Sequence, residues 1–130
     1  LQTRSALVER DFDIIKAHRS QVLLGTSLPY LDDALARTLE PRATSPTRRL
    51  KMMHKAREAD IDVYVCVAPF MPFHDRKVIS QVLKAIDDLE PKEIFCEVLN
   101  PQGDNIAMMR EALEPDFPEY AARMKAYSAE

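Results

Sequence analysis

The chain alternates short apolar runs with longer segments whose apolar residues recur at helical spacing. Three apolar runs, at residues 22–27, 62–68 and 93–99, have the length and the β-branched content typical of buried strands. The segments between them are long enough for crossover helices that pack on a sheet. The pattern therefore predicts an α/β protein with three parallel strands, adjacent in chain order, and with helices on one face.

Capping residues and prolines mark where several helices begin and where one strand ends. Ser45 followed by Pro46 is a typical helix start, and Asp75 can cap a later helix. Asp32 and Asp33 are expected in the first turn of their helix, where carboxylates suit the dipole. Residues 69–72 (P-F-M-P) are predicted as a loop, because proline cannot continue a strand ladder. The predicted helices cover residues 6–18, 31–39, 46–59, 76–89, 106–113 and 118–126.

A length of 130 residues favours one domain, residues 1–130, with enough surface buried for a core. The chain begins with Leu1, and the Thr3-Arg4-Ser5 run is the kind of polar sequence expected at the end of a strand. We therefore expect an upstream part of the fold, either an N-terminal half or a partner chain.

Charge and hydropathy restrict the partners. Charged residues make up 30% of the sequence and the net charge is −3, so no overall basic field favours DNA, which would need a local patch. No stretch reaches the roughly 18 apolar residues of a membrane span, and no signal-peptide pattern is present. These features predict a cytoplasmic protein without a membrane partner.

The two cysteines lie inside apolar runs. Cys66 falls in V-Y-V-C-V-A and Cys96 in I-F-C-E-V-L, where a free thiol behaves as a small hydrophobic side chain. Buried structural thiols are expected, although neighbouring strands would also allow a disulfide.

Polar residues follow each predicted strand. They occur at residues 3–5, 26–27, 69–75 and 100–105. The carboxyl ends of parallel strands meet at one edge of a sheet, where ligands bind in this class of fold. The same residue types are also ordinary turn formers, so a purely structural role remains open at each end.

One longer pattern is more specific. The run S-L-x-x-L-D-D-A-L-A-R-x-L-E-P-R-A-x-S-P-x-R-R-L, followed after one helix by V-x-V-A-P-F-M-P, resembles radical S-adenosylmethionine enzymes of the spore photoproduct lyase-like group. The resemblance covers residues 1–106. It implies a partial (β/α)6 TIM-type barrel of which this chain is the later half, with S-adenosylmethionine and a [4Fe–4S] cluster as cofactors of the intact protein. That protein would be a lyase-like enzyme, with DNA-lesion repair as one possible activity.

The resemblance also implies which residues contact the cofactor. Arg4, with Ser5 beside it, looks like the basic residue that meets the S-adenosylmethionine carboxylate. The family more often has lysine there, but a guanidinium can hold a carboxylate bidentately. Ser27, with Thr26 beside it, is similar to the ribose-side hydroxyl group. By the same analogy Ala68 and Pro69 form the wall near the adenine.

Glu40 and Arg49 keep the spacing of the family motif and allow two interpretations. In the first interpretation, the two residues form a salt bridge that joins the loop to the following helix. In the second, they contact the cofactor directly.

Two departures from the family pattern bear on activity. Tyr64 stands where relatives have a glycine, which places a bulky side chain where backbone would approach a ligand. The C-x-x-x-C-x-x-C motif that holds the cluster is absent from the chain. This chain alone is therefore expected to bind no cluster and to be inactive.

Two hypotheses follow from the sequence. The first is the S-adenosylmethionine-binding half of a radical S-adenosylmethionine enzyme. The second is a cluster-less α/β binding or interaction domain without catalytic activity. If the chain is half of a barrel, the edge at residues 22–27 and the first helix are poorly covered, and self-association is expected.

Overall fold

The computed structural model describes residues 1–127 and contains one three-stranded parallel sheet. The order is β1-β2-β3, with Leu24 paired to Val63 and Val65 paired to Ile94. The predicted α/β class and the three adjacent parallel strands are confirmed. The strands are β1 (Leu24–Ser27), β2 (Val63–Phe70) and β3 (Glu93–Val98).

Helices connect the strands and complete the described part of the chain. The region predicted as one helix over residues 6–18 begins instead as a 3₁₀ helix, Ala6–Asp11, because apolar periodicity over six residues does not separate the two helix types. The α-helices are α1 (Phe12–Ala17), α2 (Asp33–Leu39), α3 (Pro46–Glu58), α4 (Arg76–Asp87), α5 (Asn105–Leu113) and α6 (Pro118–Tyr127).

Side-chain caps fix the starts of three α-helices. The Ser45 hydroxyl caps α3 and the Asp75 carboxylate caps α4, as predicted. Asp32, predicted inside the first turn of α2, lies before it instead. Its carboxylate accepts hydrogen bonds from the amides of Ala34 and Leu35 at 2.7 and 3.2 Å, which satisfies donors that a helix start leaves unpaired.

The prediction that the strand stops before Pro69 is wrong. β2 continues to Phe70, which pairs with Val98 after a register shift that begins at Val67. Pro69 lies within this irregularity, so its missing N–H is tolerated. The peptide bond between Ala68 and Pro69 is cis.

One face of the sheet carries the main core. Val63, Val65 and Val67 alternate along β2 and pack with Met52 of α3 and Ile86 of α4. Met52 and Met53 of α3 are fully buried. The prediction of helices on one face is confirmed for α1, α3 and α4, which contribute to this cluster.

The opposite face of the sheet, called the open face below, carries the half-buried Tyr64 and Phe95, which is 48% exposed. Tyr64 and Phe95 meet there edge to face, with ring centroids 5.8 Å apart. Cys66 pairs with Phe95 and belongs to the same face by alternation, whereas Cys96 pairs with Val67 on the helix-covered face. The two thiols are free, and Cys96 is exposed, contrary to the prediction that both are buried.

A second apolar cluster lies beyond the carboxyl ends of the strands. Tyr30, Phe73 and Leu99, which follow the three strands, pack with Leu113 of α5 and Met124 of α6. Two side chains of α6 reach the same end: Arg123 donates to the Phe73 carbonyl at 2.6 Å and Tyr127 to the Leu99 carbonyl at 2.5 Å. Helices α5 and α6 therefore form a cap over this edge of the sheet.

Residues at the start of the chain extend the sheet beyond β1. The amide of Thr3 donates to the Gly25 carbonyl at 3.0 Å, and the amide of Gly25 donates to the Leu1 carbonyl at 2.8 Å. Gln2 and Gly25 form a parallel bridge. The outer edge of β1 is thus partly paired.

The outer edge of β3 is the more exposed one. All six residues of β3 are exposed, including Ile94, Phe95 and Val98.

No described helix is long and apolar enough to span a lipid bilayer.

We expect the chain to self-associate at micromolar concentration, with β3 in the contact, because an exposed apolar strand edge offers unpaired backbone groups to another chain. Sedimentation velocity across a concentration series measures this. Phe95→Lys places a charge on the edge and should shift the equilibrium toward monomer. A wild-type chain that stays strictly monomeric throughout the series would show that this edge does not drive association.

Candidate functional site at the carboxyl edge of the sheet

Glu40 is the centre of a polar network at the carboxyl end of β1. Its carboxylate accepts hydrogen bonds from Arg4 and from the Tyr30 hydroxyl, each at 3.0 Å, and forms an ion pair with Arg49. Glu40 follows α2 directly, and its own amide donates to the Ala36 carbonyl. One carboxylate therefore joins the start of the chain, the end of β1 and the first turn of α3.

Arg49 is fully buried, with 0% of its side chain exposed. The cap at Ser45 sets its position, since the Arg49 amide donates to the Ser45 carbonyl at 2.8 Å in the first turn of α3. Its Nη1 donates to the Ser27 carbonyl at 2.8 Å, while its Nε is buried and has no acceptor among the described residues. The guanidinium thus joins β1 to Glu40 and keeps one unused donor.

Tyr30 acts as a hydrogen-bond donor in this network. Burial, together with the neighbouring Glu40 carboxylate, raises the pKa of Tyr30 well above its usual value. The phenol therefore stays protonated and donates to Glu40. Tyr30 was not among the residues predicted from the sequence; the signal that could have identified it is an aromatic hydroxyl between a strand end and a helix cap.

Arg4 lies at the rim of the network and faces solvent. Its side chain is 60% exposed, although one of its nitrogens is bonded to Glu40. With Pro41, Arg42 and Ala43 it lines an open groove of about 360 Å³. The groove therefore carries two guanidinium groups, that of Arg4, which is paired to Glu40, and that of Arg42. Together they can attract an anionic group such as a carboxylate.

The remaining predicted site residues are distributed around this network. The Thr26 side chain is buried and donates to the Thr3 carbonyl at 2.7 Å, and the Ser5 hydroxyl caps the 3₁₀ helix. Ser27 pairs with Cys66, so its side chain belongs to the open face, as does that of Ala68 by alternation. Pro69 follows Ala68 on the same strand.

These positions agree with either interpretation of the motif. Arg4, Ser27, Glu40 and Arg49 share one set of hydrogen bonds. The salt bridge between Glu40 and Arg49 is present. Direct contact of these two residues with a cofactor stays a prediction.

Tyr64 occupies the open face beside this edge. Its ring lies over Gly25 so closely that a Cβ built on Gly25 would come within 2.1 Å of the Tyr64 Cζ atom. Gly25 is therefore required for this packing. The ring fills space next to β1 on the face that also carries Ser27.

The described residues do not fit an iron–sulfur cluster. Residues 1–127 contain no group of three or more His, Cys, Asp or Glu side chains arranged to hold a metal. Burial raises the pKa of the Cys66 thiol, which disfavours the thiolate that iron requires.

Comparison with known proteins gives one informative similarity. The chain is 32% identical over 118 residues to the uncharacterized protein ORF301 of Acidianus two-tailed virus, a match that covers 87% of this chain and 39% of that protein. The chain thus spans about two-fifths of the length of this curated relative. No family model matches the chain, and no solved structure matches it.

Proposed function

We propose that the chain is the S-adenosylmethionine-binding part of a radical S-adenosylmethionine enzyme similar to spore photoproduct lyase. The observation that supports this most is the meeting of the motif residues Arg4, Ser27, Glu40 and Arg49 at the carboxyl edge of a parallel sheet. The three strands would belong to a partial (β/α)6 barrel in a cytoplasmic protein. The open face of Tyr64 would then be the inner face.

The residues present fit the two ends of S-adenosylmethionine. Arg4 has guanidinium nitrogens free of Glu40 at the open groove and would hold the carboxylate. Ser27 would meet the ribose, and Ala68 with Pro69 would line the adenine. Bound in the intact enzyme, S-adenosylmethionine would supply the chemistry of hydrogen abstraction from a substrate.

Glu40 and Arg49 would position this site. Arg49 holds the end of β1 through the Ser27 carbonyl, and Glu40 orients Arg4. Both act on the groups that would contact the cofactor. Because the described residues do not fit the cluster, it would be held by another part of the protein or by a partner chain.

Titration of the 130-residue chain with S-adenosylmethionine tests the proposal. We expect measurable binding by calorimetry and about tenfold weaker binding in Arg4→Gln, because a charge-assisted hydrogen bond to the carboxylate is lost. Methylthioadenosine, which lacks the amino acid carboxylate, should bind the wild type and Arg4→Gln equally. Arg10→Gln, another exposed arginine, is the control variant.

Two results would reject this function for the chain. One is no binding at millimolar S-adenosylmethionine. The other is an Arg4→Gln affinity equal to that of the wild type.

The second candidate function is a cluster-less interaction domain. It is favoured by the Tyr64 ring that fills the open face beside Gly25 and by the exposed β3 edge. In that case self-association would be observed without binding of S-adenosylmethionine.

A further inference from the structure

A small cavity lies beside Tyr30, between α2 and α4. Its volume is about 170 Å³. Tyr30, His74 and Tyr120 supply aromatic walls, and aliphatic side chains such as Leu35 and Val82 complete them. Tyr30 is shared with the Glu40 network, but none of the residues proposed to contact S-adenosylmethionine lines the cavity.

The aromatic rings of this cavity are nearly perpendicular to one another. His74 meets Tyr30 at 79° with centroids 6.2 Å apart, and it meets Tyr120 at 82° with centroids 6.3 Å apart. Phe73 stacks on Tyr120 at 4.5 Å and fixes that ring. Rings set at right angles suit a compact group, whereas a flat heterocycle would need parallel faces.

The charges at the cavity favour a cation. Asp32 is the only charged residue among the described lining residues. Its Oδ1 accepts the two capping bonds of α2, and these bonds leave the second carboxylate oxygen available. Burial lowers the pKa of His74, so its ring is neutral at pH 7.

The positive charge of the neighbouring Arg123 does not cancel the negative charge of Asp32 at the cavity. Arg123 donates to the Phe73 carbonyl. It also faces Asp75, whose pKa is lowered mainly by the backbone hydrogen bond from Val78 and further by Arg123. The positive charge of Arg123 is therefore offset outside the cavity.

We propose that this cavity binds a small organic cation, namely an ammonium head group of about the size of trimethylammonium. The aromatic side chains that line the cavity attract such a cation through their π electrons, and the exposed Asp32 adds a negative charge at the rim. The cavity is smaller than the roughly 300 Å³ at which drug-sized sites begin, so it holds a head group and not a whole large ligand. Free choline and a methylated lysine side chain share this chemistry.

The first test compares choline with 3,3-dimethyl-1-butanol, which has the same shape without the charge. Amide chemical shifts of the ¹⁵N-labelled chain are followed during both titrations. We expect choline to bind at least fivefold more tightly, with the shifts confined to residues around Tyr30, His74 and Tyr120. Equal affinities would mean a merely apolar cavity, and no shifts with either molecule would mean no site; both results overturn the proposal.

Substitutions test separately the contribution of the carboxylate and that of the aromatic wall to choline binding. Asp32→Asn keeps a good helix cap and should weaken choline at least threefold while leaving dimethylbutanol unchanged. Tyr120→Leu should weaken choline as well, and Phe95→Leu, on the open face, should not. An unchanged choline affinity in Asp32→Asn would contradict the charge argument, and preserved amide dispersion verifies the fold of each variant.

A third titration identifies the source of the cation. Nα-acetyl-Nε-trimethyllysine amide carries the same head group on a side chain. Tighter binding than choline would indicate a methylated protein partner, and weaker binding would indicate a free small molecule. Because none of the cofactor-site residues is changed, the outcome is independent of S-adenosylmethionine binding.

Discussion

Replacing Arg49 with methionine lowers the free energy of unfolding by about 3 kcal/mol, because the change breaks a buried ion pair from one side. Glu40 would keep Arg4 and Tyr30 but lose its buried partner, and the Ser27 carbonyl would lose its donor. Methionine has similar length and fills the space, so the loss reports on charge and hydrogen bonds. Urea denaturation measures it as a lower midpoint with an unchanged slope.

Two further variants make the Arg49 result interpretable. Arg48→Met changes the neighbouring residue of α3, whose ion pair with Glu9 is partly exposed, and should leave the midpoint nearly unchanged. Arg49→Lys keeps the charge but cannot reach both Ser27 and Glu40 in the way that a guanidinium does, so an intermediate loss is expected. A midpoint for Arg49→Met equal to that for Arg48→Met would show that the network does not hold the fold.

The strand order and most helix starts could be predicted from the sequence because their signals are local. Val63, Val65 and Val67 mark one face of a strand by alternation, and Ser45 with Pro46 marks a helix start by capping chemistry. Both signals act within a few residues. Tertiary contacts elsewhere in the fold do not override them.

The features that the sequence did not indicate depend on contacts between distant segments. β3 reads as a buried strand, yet Ile94 and Phe95 are exposed because no described element packs on that edge. β2 continues through Pro69 because Val98 pairs with Phe70 beyond the irregularity. Apolar composition shows that a segment can be buried, and only the neighbouring elements decide whether it is.

The candidate site was predictable in its residue types but not in its connections. The motif spacing identified Glu40 and Arg49 but not the other groups that they contact. The structure shows the salt bridge and adds Tyr30 and the Ser27 carbonyl to it. A buried network of this kind holds the strand end rigidly, which is what a binding site on adjacent residues needs.

Replacing Phe73 with alanine should remove the cap formed by α5 and α6 and cost about 3 kcal/mol. Phe73 is 1% exposed, stacks on Tyr120 at 4.5 Å and belongs to the cluster with Leu113 and Met124. Truncation of a buried phenylalanine leaves a cavity that the surroundings fill only in part. Here the cavity would open between the end of β2 and α6.

The part of the fold that is destabilised by Phe73→Ala differs from the part destabilised by Arg49→Met. Hydrogen exchange should speed up first in α5 and α6, because their cluster is separate from the core of Met52, Val65 and Ile86. Phe95→Ala truncates the same type of side chain on the open face, where Phe95 is 48% exposed. This change should lower the free energy of unfolding by less than about 1 kcal/mol. If Phe73→Ala and Phe95→Ala had equal stabilities, the packing of α6 over the strand ends would contribute little to the stability of the fold.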